Sequence, residues 1–235
     1  MFSKKSQPAT ASLTLRAMAA LLSYPDANLR EAASQIGALL RKENALSSSR
    51  LAEFDALLSA LAQRDELANE AEYVSLFDRG RATSLHLFEH VHGDSRDRGP
   101  AMIDLAQTYE KAGLFLAEGE LPDYLPAVLE FVSTQPPAEA RAFLSEMAHI
   151  FNVIFAALQK HRSPYACILG ALLDLAGEKA EAVKLPVEDD LDEAWAEPKV
   201  FDGCSTKGQA KPGQEQTIQI VRRQGAKSLS EGVTP

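Results

Sequence analysis

The chain is organised around one stretch, which reads YVSLFDRGR at residues 73–81. It continues through SLHLFEH at residues 84–90 into GDSRDRG at residues 93–99, so aromatic, histidine and arginine side chains are concentrated in a few turns. On both sides of this stretch apolar residues recur at three- and four-residue spacing, which is typical of amphipathic helices. No alternating strand pattern occurs before residue 186, so the sequence predicts an all-α fold.

The helical pattern predicts a single-domain helical bundle over residues 11–185. Its longest helix is predicted from the prolines before Ala138 to Arg162, with an acid in its first turn and basic residues in its last. Residues 165–176 are apolar on nearly every side, which predicts a buried central helix.

Polar residues before the apolar runs predict where helices begin. The predicted caps are Asp26 or Asn28 for the second helix and Ser48 or Ser49 for the third. Asp65 is predicted to start a fourth helix that ends near Asp78. The remaining predicted cap is Asp123, at the start of a helix through Val128, Leu129 and Val132.

The composition changes after Pro186. Residues 188–202 hold seven acids against one lysine, and the remainder is rich in glycine, glutamine, serine and lysine. Such a segment buries too little apolar area to order itself, so residues 186–235 are predicted to form a flexible, acidic C-terminal tail. The tail is interpreted as a solubilising appendage or, alternatively, as a segment that folds back on a groove or binds a second partner.

Composition also limits the class of protein. Two cysteines in 235 residues make neither a disulfide framework nor a paired-cysteine metal site. No apolar run is long enough for a signal peptide or a membrane span, which predicts a cytoplasmic protein without membrane insertion.

The net charge of −9 is unevenly distributed. Residues 65–131 hold 14 of the 33 acids and 5 of the 24 basic residues, so this region accounts for the whole excess. Nucleic-acid recognition normally needs a basic surface, which argues against a nucleic-acid partner. A locally basic partner is favoured instead.

The residues of the central stretch allow two interpretations. If Thr83 or Ser84 caps a short helix, His86 and His90 share one face, and Glu89 completes the residue order of an inverted zinc-peptidase motif. This alternative is a zinc-dependent hydrolase, but no later segment proposes a third ligand more strongly than any other, and histidines that satisfy a polar loop are the simpler explanation of the pattern.

The second interpretation is a long ordered loop tied by charge-assisted hydrogen bonds, which more often presents a binding surface than carries chemistry. Its charged residues alternate in sign and are punctuated by glycines: Asp78, Arg79, Arg81, Asp94, Arg96, Asp97 and Arg98.

These residues also carry a resemblance. The segment from Tyr73 to Asp104, followed by LPDYLP at residues 121–126 and LEF at residues 129–131, resembles the NarJ branch of the redox-enzyme maturation chaperones, whose relatives include the TorD and DmsD types. The resemblance extends over residues 13–185 as a pattern of helices. It implies a TorD-like helical chaperone that is not an enzyme and carries no cofactor or metal of its own.

The resemblance also implies a client. Members of this branch bind the N-terminal segment of the apo alpha (catalytic) subunit of respiratory nitrate reductase in the cytoplasm and keep it from docking early on its membrane partner. They favour insertion of the molybdenum cofactor and an iron-sulfur cluster. Binding of unfolded protein and a role in nitrate assimilation follow from this, and proteins of molybdenum cofactor biosynthesis are further implied partners.

The family's peptide-binding elements correspond to named residues here. An aromatic-x-x-Leu-Phe element and a Pro-Asp-aromatic element match, and the charged stretch adds three residues, which gives the implied client-binding set Tyr73, Leu76, Phe77, Arg79, Arg81, His86, Pro122, Asp123 and Tyr124. From spacing alone the aromatic residues near position 73 are as typical of a core as of a groove. A groove edged by aromatic rings, with Asp123, Glu118 and Glu120 nearby, would suit a basic amphipathic helix.

Overall fold

The computed structural model describes residues 11–93, 95–181 and 183. In this part of the chain it forms ten α-helices, a π-helical turn at Val74–Asp78 and a 3-10 turn at Arg81–Thr83. The helices are α1 (Ser12–Leu22), α2 (Ala27–Glu43), α3 (Ser48–Gln63), α4 (Glu66–Tyr73), α5 (Leu87–Val91), α6 (Arg98–Lys111), α7 (Leu125–Thr134), α8 (Pro137–Glu146), α9 (Ala148–Lys160) and α10 (Ala166–Ala176). No strand occurs in the described residues, so the all-α prediction is confirmed. The predicted tail, residues 186–235, lies outside them.

One apolar core joins the helices. Helix α1 packs against α2 and α7, and α10 packs against α3, α8 and α9. Eight of the eleven residues of α10 are buried, which confirms the predicted central helix. Its apolar side chains face neighbours in several directions because three helices surround it.

Side-chain caps start three helices. Asp26 accepts a hydrogen bond from the Leu29 amide at 2.8 Å and Asp65 accepts one from Ala68, so both predictions are confirmed. The predicted cap of α3 is wrong by one residue, since Ser47 accepts from the Arg50 amide. Three consecutive serines are chemically equivalent caps, and packing selects among them.

The predicted long helix from residue 138 to 162 is wrong, because it breaks at Met147. Helices α8 and α9 meet there at 63°. The His149 ring lies 3.1 Å from the Glu146 carbonyl and so occupies an acceptor of the helical ladder. The bend lets both halves contact α10.

Within the described residues, no single helix is long and apolar enough to cross a membrane. Among the helix pairs of the described residues, only α8 and α9 taken together are long and apolar enough, and they are bent at their junction.

Helix α4 does not simply continue to Asp78. The Arg79 amide donates to the Val74 carbonyl at 3.1 Å, five residues back, so the last turn is a π-helix. The chain then turns at Gly80, where an added Cβ would overlap Thr83 Oγ1 and the Leu76 carbonyl. The Thr83 hydroxyl donates to that carbonyl, so the turn closes tightly against the end of the helix.

Helix α1 has no side-chain cap of its own, since Ala11 precedes it. Glu43, the last residue of α2, takes that role from a neighbouring helix. Its carboxylate accepts from the Leu13 amide at 3.0 Å and from the Thr14 amide at 2.5 Å. A negative charge on two free amides also suits the positive end of the helix dipole.

We predict that Glu43→Ala lowers the free energy of unfolding by about 1–2 kcal/mol, because two amides of α1 lose their acceptor. Urea denaturation of the purified protein measures this change. Glu31→Ala, on an exposed face of the same helix, is the matched control and should leave the midpoint nearly unchanged. Equal midpoints for the two variants would contradict the capping role.

Candidate functional site

Two distant segments meet at the centre of the site. The Leu87 amide donates to the Asp123 carbonyl at 3.0 Å, and the Leu125 amide donates to the Leu85 carbonyl at 2.8 Å. These two bonds form an isolated antiparallel bridge that places His86 opposite Tyr124, with their ring centroids 5.4 Å apart. The bridge brings together two of the segments that carry the family resemblance.

Asp123 holds this bridge from inside. Its side chain is 0% exposed, and its carboxylate accepts from the Phe88 amide at 3.2 Å. His86 Nδ1 lies 3.4 Å from one carboxylate oxygen, and an Arg98 nitrogen lies 3.6 Å from the other. A buried carboxylate is retained at low cost only when it is bonded in this way.

The predicted helix cap at Asp123 is wrong. Asp123 does not cap its own helix, because α7 begins at Leu125 after Tyr124 and has no side-chain cap. Its carboxylate is enclosed and its partners belong to the chain itself, which does not favour a direct contact with a basic client. The sequence did not indicate these partners, because the Phe88 amide that donates to Asp123 lies 35 residues away.

The alternative of a zinc site is not favoured by the geometry. Helix α5 begins at Leu87, so His86 precedes it and the two histidines do not share a helical face. His90 Nε2 lies 2.9 Å from the Ser84 carbonyl, while Glu89 accepts from the Ser84 hydroxyl at 2.6 Å. No group of three or more histidine, cysteine, aspartate or glutamate residues that could hold a metal occurs in the described part of the chain. The three residues satisfy the loop instead.

The charged stretch is tied less extensively than predicted. Of its predicted charged residues, only Arg98 forms ion pairs within the described residues, and it bridges Glu89 and Asp123. Arg79 and Arg81 are exposed, and Asp94 lies outside the described residues. The stretch is therefore held by one arginine and by backbone bonds rather than by a network of charges.

Tyr73 and Phe77 form an aromatic cluster with residues from two further segments. Tyr73 and Phe77 are 4% and 6% exposed, and their ring centroids lie 4.9 Å apart. Tyr165, at the start of α10, packs edge-on against Phe77 at 5.2 Å, and Tyr24 packs edge-on against Tyr73 at 5.7 Å. Tyr73 and Phe77 thus belong to the core, which was the alternative left open by their spacing.

The Tyr73 hydroxyl connects this cluster to the bridge. It donates to the Leu22 carbonyl at 2.7 Å, at the end of α1, and lies 3.2 Å from the Tyr124 hydroxyl. Since the Tyr73 proton is used by Leu22, Tyr124 is the donor in the second bond. The end of α1, the end of α4 and the bridge are joined through one phenol.

A pocket of about 220 Å³ opens at this junction. It is lined by Tyr24, Tyr73, Phe77, Asp78, Leu85, His86 and Tyr124. Four members of the predicted client-binding set therefore line one cavity, although they come from two distant segments. Of the others, Leu76, Pro122 and Asp123 are buried, with the Pro122 carbonyl accepting from Tyr109 at 2.8 Å. Arg79 and Arg81 do not line the pocket.

Three lining residues were absent from the predicted set. Tyr24 is 47% exposed and forms an outer wall, but the sequence around it, Tyr-Pro-Asp, indicates only the end of a helix. Asp78 was assigned to the charged loop rather than to a cavity. Leu85 carried no polar signal at all. The only indication in the sequence that Asp78 lies near the aromatic residues was its place directly after Phe77.

The pocket favours neutral phenols and a protonated histidine. Burial, followed by smaller contributions that include Asp78, raises the pKa of Tyr124. The hydrogen bond to Asp123 raises the pKa of His86 above its usual 6.5, against an opposing effect of burial. His86 Nδ1 faces the Asp123 carboxylate, so this contact favours protonation of the ring.

The chain is similar in sequence to known proteins over most of its length. Residues 24–169 match the sequence profile described as nitrate reductase delta subunit. The chain belongs to this family. The Escherichia coli (strain K12) protein named nitrate reductase molybdenum cofactor assembly chaperone NarJ is 41% identical over 190 residues, which are 77% of this chain and 80% of that protein.

Two further family comparisons bear on sequence and fold. A probable nitrate reductase molybdenum cofactor assembly chaperone of the same organism, NarW, is 39% identical over 79% of this chain and 82% of its own length. A crystal structure from Archaeoglobus fulgidus, assigned as a redox enzyme maturation protein, covers 76% of this chain and 98% of its own, with a TM-score of 0.50 and 22% identity. The predicted TorD-like helical chaperone fold is confirmed, and the delta-subunit relatives are named as chaperones rather than enzymes.

We predict that Asp123→Asn lowers the free energy of unfolding by about 1–3 kcal/mol, because His86 and Arg98 lose their common negative partner inside the fold. Thermal and urea unfolding measure the change. The matched control is Asp104→Asn, at an exposed position on α6, which should behave like the unchanged protein. If Asp123→Asn lowered the free energy of unfolding no more than Asp104→Asn does, the buried carboxylate would not be needed for stability.

We predict a pH-dependent contribution from His86. Because its pKa is raised in the folded state, its stabilisation is complete below the usual pKa of 6.5 and is lost as the pH rises through the folded-state value. The stability difference between the unchanged protein and His86→Asn should therefore shrink between about pH 5.5 and about pH 8.5. Urea midpoints across this range measure it.

The control for this prediction is the same comparison made with Asp123→Asn present in both proteins. The pH-dependent part should then disappear, because the hydrogen bond that raises the pKa of His86 is weakened. A difference that stays constant with pH in the unchanged background would refute the assignment.

Proposed function

We propose that this chain is an assembly chaperone for nitrate reductase and promotes insertion of that enzyme's molybdenum cofactor. The observation that carries the proposal is the 41% identity to a protein named as such a chaperone, which extends over 77% of the chain. The match to the delta-subunit family over residues 24–169 supports it, because it includes every residue that lines the pocket.

The client segment in this proposal is the N-terminus of the apo alpha subunit. The chaperone binds it before the subunit docks on its membrane partner, so its place of action is the cytoplasm. Binding favours loading of the molybdenum cofactor and an iron-sulfur cluster, and proteins of molybdenum cofactor biosynthesis are candidate partners in the same step.

The geometry supports a binding role at the pocket beside the bridge. Its walls combine aromatic rings with phenol and carboxylate groups, and Tyr24 and Tyr124 remain partly accessible to a ligand. Apolar surface supplies affinity for a helical segment, and the negative region around the pocket orients a basic one. The arrangement is suited to reversible capture of a peptide.

The buried members of the predicted set act differently in this proposal. Tyr73 and Phe77 shape the floor of the pocket from within the core, whereas Tyr124 and Tyr24 are its accessible walls. Truncating Phe77 would leave a cavity among packed rings and would lower stability as well as affinity. Changes at the walls test binding more directly.

We predict that deletion of this gene leaves the nitrate reductase subunits present but without molybdenum cofactor, because insertion lacks its chaperone. Molybdenum content of the purified reductase and its nitrate-reducing activity measure the effect, and the unchanged gene supplied on a plasmid should restore both. Normal activity in the deletion strain, with no second copy of the gene, would exclude the proposed function.

A further inference from the structure

The pocket contains a carboxylate without a partner from the described residues. Asp78 ends the π-helical turn, lines the pocket and is exposed. It forms no ion pair with any residue that the structure describes, in contrast to the enclosed Asp123. Among the residues that line the pocket, Asp78 is therefore the acid that can meet a basic ligand.

The field of Asp78 reaches the phenols around it. Burial is the first cause of the raised pKa of Tyr24, Tyr73 and Tyr124, and Asp78 contributes to the shift in all three. Asp78 also lines the same pocket as these three rings. Glu70 and Glu66 act on Tyr24 in the same sense, so the outer wall also lies in a negative field.

The walls of the pocket are suited to a flat cation. Four lining residues have aromatic rings (Tyr24, Tyr73, Phe77 and Tyr124), and no lysine or arginine among the described residues lines the cavity. Ring faces attract cations, and a guanidinium stacks on them better than an ammonium because it is planar and weakly hydrated. It can also place two N–H donors on one carboxylate.

We propose that this pocket binds one arginine side chain of the client segment, with its guanidinium against the tyrosine rings and paired with Asp78. The inference rests on the proposed function, because it names the group through which the client is read. A cavity of about 220 Å³ has room for the side chain, and the Nδ1 atom of His86 faces Asp123.

The test is a cycle of protein and peptide variants. A synthetic peptide of the client's N-terminal segment is titrated calorimetrically, with each arginine replaced in turn by citrulline, which keeps the shape and removes the charge. One replacement should weaken binding about tenfold, through the lost ion pair and ring contact. In Asp78→Asn the same replacement should have little further effect, whereas Asp104→Asn should behave like the unchanged protein.

Tyrosine variants separate the ring from the hydroxyl. Tyr24→Phe keeps the ring face and should retain most of the affinity, while Tyr24→Leu should lose several-fold. Replacing the same arginine by lysine should recover only part of the binding. Unfolding curves of every variant verify that the fold is intact.

A second probe tests the arginine pocket independently of the proposed client. N-acetyl-arginine methylamide, followed by NMR, should shift the amide signals of Tyr24, Asp78 and Tyr124, and the citrulline analogue should not. Two results would overturn the proposed arginine pocket. One is that the probe leaves these amide signals unchanged, and the other is that citrulline replacement weakens peptide binding equally in the unchanged protein and in Asp78→Asn. If the probe binds and the peptide does not, the pocket stands and the proposed client is wrong.

Discussion

The carboxylate of Asp123 is fully enclosed, and the site around it depends on how its charge is compensated. Its partners are an amide of α5, a histidine on the opposing strand segment and Arg98 at the start of α6. An ionised group in such a place is tolerated only when these bonds are made. The three groups therefore adopt one arrangement together, and the bridge between residues 84–88 and 122–125 follows from it.

The aromatic cluster forms the other half of the junction. The π-helical turn at Val74–Asp78 advances the chain by a wider turn than an α-helix does, and it leaves Phe77 in the core while Asp78 lies at the pocket. Tyr73 then ties the end of α1 to Tyr124 through its hydroxyl. Since four segments supply the lining, the pocket exists only in the folded chain.

Neighbouring residues therefore have different roles: some stabilise the fold, and others are accessible for the proposed binding. Asp123 and Tyr73 hold elements together, whereas Asp78 and Tyr24 have accessible side chains at the pocket. Two acids in the same region thus differ: Asp123 is enclosed and fully bonded, whereas Asp78 is exposed and forms no ion pair with the residues that the structure describes. The bonds that stabilise the floor of the pocket do not involve the carboxylate of Asp78. The floor can therefore stay rigid while Asp78 remains accessible to the proposed client.

The sequence by itself determined the all-α class, the caps at Asp26 and Asp65, the buried helix α10 and the family resemblance, because periodicity, capping and motif spacing are local properties. Only the tertiary structure decided that His86 is bonded to Asp123, that the predicted long helix breaks at Met147, and that Tyr24 and Asp78 join the pocket. These outcomes depend on which distant groups satisfy a buried charge, a carbonyl or an aromatic face, and the linear order of residues does not specify those partners.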